Sequence, residues 1–207
     1  MKNHILTLAV SILIPIAIGI IGCKNKEEQS SSVPDQQQQT DSPEVKNYLP
    51  VLDFLKGEIQ NVDSFYAGMR KITIRNGKTD STFISSEEFH RITNEFVTND
   101  LTKDFLEEHY NESSFIDQST RSVTFTYEPK DHNLVIRRVD LLTGQSSSGF
   151  DKLKSLFIEK QMNSGDTSIL KRIFWKAGKN FLLMTQKTIG QNPPDISQVK
   201  VVWDLTE

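Results

Sequence analysis

Cys23 is the one cysteine in 207 residues, so its thiol has no partner for an intrachain disulfide and no neighbour for a thiolate metal site. Its surroundings are specific: a charge-free apolar run from Ile5 to Ile21, then the small residue Gly22, directly before it. The other residues able to do chemistry are more diffuse. His90, His109 and His132 make no His-x-x-x-His pair, and the adjacent side chains of Glu107-Glu108-His109 would point in different directions on a helix. There is no Gly-x-Ser-x-Gly elbow to present a serine nucleophile. Thr143-Gly144-Gln145, followed by Ser146 to Gly149, reads as a turn and not as a phosphate-cradling loop. Glu87 and Glu88 suit the start of a helix, where the dipole favours negative charge. The expectation is a protein without a metal site, without a cofactor and without catalytic residues.

The segment Ile20-Ile21-Gly22-Cys23 resembles the lipobox of bacterial lipoproteins, and the short basic start Met1-Lys2-Asn3-His4 fits that pattern. The resemblance implies that residues 1–22 are a signal peptide cut between Gly22 and Cys23. It implies lipidation of the Cys23 thiol, which ties the rest of the chain to a membrane. The competing reading is an uncleaved transmembrane helix. Seventeen apolar residues rise about 26 Å, short of a hydrocarbon core of about 30 Å, and Pro15 disfavours a straight helix.

Residues 23–43 read as a disordered tether: Ser30-Ser31-Ser32, Gln36 to Gln39 and two prolines bury too little to offset the entropy of ordering. Lys26-Glu27-Glu28 resembles the surface-export signal of Bacteroidota lipoproteins, displaced by two residues from its usual place after the cysteine. Ser122 to Tyr127 and Val201 to Asp204 are similar to uncharacterised envelope lipoproteins of that group. The resemblance implies a lipid-anchored location in the cell envelope, at the outer membrane, and no particular activity.

Charge is unevenly spread. Residues 23–119 hold 10 basic and 18 acidic side chains, whereas residues 120–190 hold 12 basic and 6 acidic. The mature chain is mildly acidic overall, which argues against nucleic acid as a partner. Within the basic stretch, Arg137, Arg138, Lys152, Lys154, Lys171 and Arg172 fall on expected strands, and they suggest a face that meets an anionic polymer, lipid headgroup or envelope protein. Complementary packing of an acidic half against a basic half explains the same distribution.

The elements that must position these residues follow from periodicity. From about residue 44 to 207 the chain reads as a single α+β domain: N-terminal helices packed on a mainly antiparallel, meander-like sheet of about seven or eight strands. Pro50 opens a helix bearing Val51, Leu52, Leu55, Ile59 and Val62 on one side. Asn76-Gly77 joins a hairpin of 69–75 and 79–84. Ser85 with Glu88 forms a capping box before Phe89, Ile92 and Phe96, and a second short helix covers 102–108. Alternation then predicts strands near 123–127, 134–142, 152–162, 167–176, 180–189 and 197–204.

Several of those strands are apolar on both sides, such as Ile173 and Trp175 against Leu170 and Phe174. One side can rest on the helices and the other needs a cover, which leaves a second functional reading: a binder or carrier of an apolar ligand in a groove of the curved sheet. Trp175 and Trp203 share their sides with aliphatic residues and read as core.

Overall fold

The computed structural model describes residues 48–204 apart from 66–67 and 147–148. The signal peptide, Gly22, Cys23 and the tether expected at 23–43 lie outside the described residues. Among the described residues no helix is long and apolar enough to cross a membrane.

The first element among the described residues is helix α1 (Val51–Phe65), preceded by Pro50, whose missing N–H costs nothing at a helix start. Val51, Leu52, Leu55, Ile59 and Val62 are all buried, so the expected apolar stripe is the one that packs. The hairpin of β1 (Met69–Arg75) and β2 (Lys78–Ile84) turns on Asn76 and Gly77, both in the left-handed region at φ 51° and 72°. That pair of angles matches the right-handed twist of the flanking strands.

Helix α2 (Ser86–Thr93) is capped by Ser85, whose hydroxyl accepts from the Glu88 amide at 3.3 Å. Only half of the expected capping box forms. The Glu88 carboxylate reaches Lys71 at 2.9 Å and Arg91 at 2.8 Å instead of returning to the cap. Phe96 lies beyond the end of α2 and is nonetheless fully buried. A single 3-10 turn (Asn99–Leu101) leads into α3 (Lys103–His109).

Seven strands then follow in a meander: β3 (Tyr110–Asp117), β4 (Ser122–Pro129), β5 (Ile136–Ser146), β6 (Gly149–Ser164), β7 (Thr167–Lys176), β8 (Asn180–Ile189) and β9 (Asp195–Val202). The sheet is antiparallel throughout, in the order β2-β1-β9-β8-β7-β6-β5-β4-β3. The α+β architecture is therefore as expected, but the sheet has nine strands and not seven or eight. The added strand is β3. It sits at an edge, so Asn111, Ser113 and Ser114 need not be apolar and the strand shows no alternation to read. A second correction concerns Thr143 and Gly144: they lie inside β5, with Thr143 fully buried, and not in a turn.

The three helices cover one side of the sheet. Trp175, Phe181, Leu183, Val201 and Trp203 face them from β7, β8 and the end of β9, and Phe89 and Phe96 come from the helix side. Phe89 lies within 6.0 to 6.4 Å, ring centre to ring centre, of Trp175, Phe181 and Trp203. Trp175 stacks on Phe181 at 5.4 Å. Both tryptophans are core, and this aromatic cluster occupies the space a ligand would need between the helices and these strands. On the opposite side no described helix or strand covers the sheet, since β9 lies within the sheet and not over it.

Candidate functional site

The residues just before α1 are held against β3 and β4. The Tyr48 hydroxyl donates to the Tyr110 carbonyl at 2.7 Å, its ring stacks on Tyr127 at 5.7 Å, and the Leu49 amide donates to the Tyr127 hydroxyl at 3.0 Å. Burial pushes the Tyr110 phenol up to about 12 and raises that of Tyr127 as well, so both remain neutral donors and acceptors at any ordinary pH. From this anchorage α1 runs across the strands toward the β7–β8 turn. There the Glu58 carboxylate accepts from the Gly178 amide at 3.0 Å and from the Trp175 indole at 3.3 Å.

Between the outer side of α1 and the ends of β6 and β7 lies a cleft of about 820 Å³. Pro50, Asp53, Phe54, Gly57, Glu58 and Asn61 form one wall, and Lys152, Leu153, Lys154 and the segment Lys176 to Lys179 form the other. Four lysines thus meet two carboxylates, one of which, Glu58, is turned to the tryptophan and the turn amide. Asp53 lies in the first turn of α1, where the helix dipole favours it. The floor is apolar through Phe54, Leu153 and Ala177, all of which belong to or pack on the core.

Lys154 owes its course to two local features. A register shift between Leu142 and Thr143 makes it the unpaired residue of a bulge in β6. Its side chain also crosses Gly144, where a Cβ would meet the lysine Cε at 2.7 Å. Its Nζ donates to the Thr120 carbonyl at 3.3 Å. Lys152 is exposed and makes no ion pair among the described residues.

The six basic residues singled out in the sequence are not brought onto one face. Lys152 and Lys154 come together in the cleft. Lys171 shares the helix side of β7 with Ile173 and Trp175 and is ion-paired to Glu95. Arg138 and Arg172 lie on the opposite side, Arg138 bound to Asp140 at 2.8 Å and Glu128 at 3.4 Å, and Arg172 bound to Glu159 at 2.7 Å. Arg137 is the extra residue of a bulge at the start of β5, with its Nε buried and without a hydrogen-bond partner among the described residues. Part of the charge asymmetry is therefore internal complementarity, as at Lys171–Glu95.

Lys176 and Lys179 were missing from that group of six. Their position beside β6 follows only from the β6–β7 register, in which Ser155 faces Lys176.

The histidines are dispersed. His90 lies 2.8 Å from Asp63, His109 lies 3.7 Å from the neighbouring Glu108, and His132 is exposed. Among the described residues no three His, Cys, Asp or Glu side chains converge as metal ligands would. The uncovered side of the sheet carries a shallow apolar depression of about 390 Å³, formed with Leu142, Phe157 and Phe174, the last 44% exposed. No family model, no curated protein and no solved structure matches the chain.

Proposed function

We propose that the chain is a lipid-anchored protein of the cell envelope whose domain is a non-catalytic binding module for an anionic component of that compartment. The observation that carries this reading is the cleft beside α1. It gathers Lys152, Lys154, Lys176 and Lys179 around an apolar floor, and it sits where the chain enters the fold. Ammonium groups on separate strand ends around a concave surface attract an extended or repeated anion without selecting one geometry. The anchor itself rests on the lipobox-like run ending in Gly22-Cys23. A diacylated and N-acylated cysteine holds more firmly than one acyl chain, which binds a membrane only marginally.

The carrier reading draws less support. The side of the sheet left open by the helices offers only a shallow depression of about 390 Å³ beside Leu142, Phe157 and Phe174, and the aromatic cluster fills the space on the helix side.

A photoreactive side chain placed at Asn61, on the exposed wall of the cleft, tests the module in intact cells. A discrete, reproducible adduct is expected there, and none from the same group placed at Ser81 on the distant strand β2. Labelling at Asn61 no greater than at Ser81 would sink the reading.

A further inference from the structure

We infer that the cleft is a second membrane contact: Lys152, Lys154, Lys176 and Lys179 seat the domain on the anionic headgroups of the same leaflet that holds the Cys23 lipid. The inference rests on the lipid-anchor reading above and names the anionic component of the cleft.

Three observations lead there. The first is position. Tyr48, pinned to Tyr110 and Tyr127, comes two residues before Pro50, which lines the cleft. The first described residue therefore lies close to this wall. Cys23 lies twenty-five residues earlier, so the anchor allows a reach of at most about 90 Å. That is ample for the cleft to meet the bilayer.

The second is the distribution of charge along the strands. Lys152 lies near the start of β6, Lys176 ends β7 and Lys179 occupies the β7–β8 turn, so these cations project from one end of the sheet. At the other end the hairpin cation Arg75 is bound to Asp195 at 2.7 Å. Attraction to a charged surface fades within a Debye length of about 8 Å, so only the end that faces the headgroups contributes.

The third is the mixed lining. Phe54 and Leu153 offer an apolar floor beneath the ammonium groups, which suits an interface where phosphate and acyl chain meet.

The test uses the full-length acylated protein, reconstituted into vesicles of phosphatidylcholine alone or of phosphatidylcholine with phosphatidylglycerol. A water-soluble amine-acylating reagent labels exposed lysines, and mass spectrometry reads each one. Lys152 and Lys154 should label several-fold more slowly on the anionic vesicles, and the difference should collapse in high salt. Lys78, exposed in the distant hairpin, should label equally on both. A Lys152→Gln, Lys154→Gln double variant, which alters only exposed side chains, should lose the slower labelling of Lys176.

Equal labelling of Lys152 and Lys154 on the two vesicles overturns the docking while leaving the anchor intact. Equal slowing at Lys78 also overturns it, because the whole domain is then approached by lipid without orientation. Protein that fails to float with neutral vesicles overturns the anchor, and the docking falls with it. A protein adduct in place of lipid at Asn61 would keep the binding module and reject the membrane as its partner.

Discussion

Glu88 ties α2 to β1 with one carboxylate, and its titration exposes that role. Arg91, one turn along the helix, and Lys71, across on β1, donate to it and hold it down at about 2, well below an ordinary glutamate near 4.5. A carboxylate depressed in the folded state adds stability that is fully present above its unfolded value and disappears as pH falls toward its folded one. The native protein should therefore exceed a Glu88→Gln variant in melting temperature near neutral pH. The gap should close as pH drops from about 5 to about 2, and salt should narrow it because the group is near water. Thermal melts across that range check the point; a gap independent of pH would show that the ion pairs contribute nothing. Asp117 is held at about 2 in a different way, by the hydroxyls of Ser119 and Thr120 in the β3–β4 turn. The residue scale also shows where reading by type is blind. Arg138 and Arg172 looked like two cations on offer, yet each is answered by a carboxylate on its own or a neighbouring strand, and only strand register decides that.

Among the elements, α2 and the sheet meet chiefly at Phe89, which is fully buried against Trp175, Phe181 and Trp203. Truncation to alanine there removes ring contacts with three neighbours that are themselves held by strands and cannot collapse inward. Phe89→Ala should cost about 3–5 kcal/mol. Urea unfolding followed by tryptophan fluorescence reads it directly, and a loss below about 1 kcal/mol would show that the site repacks. This scale was the most legible in the sequence. The stripe of α1, the Asn76-Gly77 turn, the Ser85 cap and the strands from β4 to β9 all follow from local periodicity or turn chemistry, because each is decided by side chains a few residues apart. β3 was not legible, since an edge strand is ordered by its partner β4 and tolerates polar residues on both sides. Nor was the cleft: two of its lysines were marked, but Lys176 and Lys179 join them only through the long-range stacking of β6 on β7 beneath α1.

For the whole molecule, the decisive prediction concerns its native mass. Protein isolated from the envelope should begin at Cys23 and carry acyl groups on that residue, so that its mass departs from the sequence by the loss of residues 1–22 and the gain of lipid. Retention of Met1 to Gly22, or an unmodified thiol, would remove the basis for the proposed location. One further property follows from the strand order. The β1–β2 hairpin joins the sheet only through β9, with Arg70 opposite Val202, so residues made early must wait for a strand made far later. A chain emerging N-terminus first can zip β3 through β8 by neighbouring hairpins, each a short loop closure. The first hairpin stays unmoored until β9 arrives, and contacts so distant in sequence set the pace of folding. Docking of the first hairpin is thus timed by β9: until the stretch from Asp195 to Val202 has emerged, the ribbon of β1 and β2 has no strand to join.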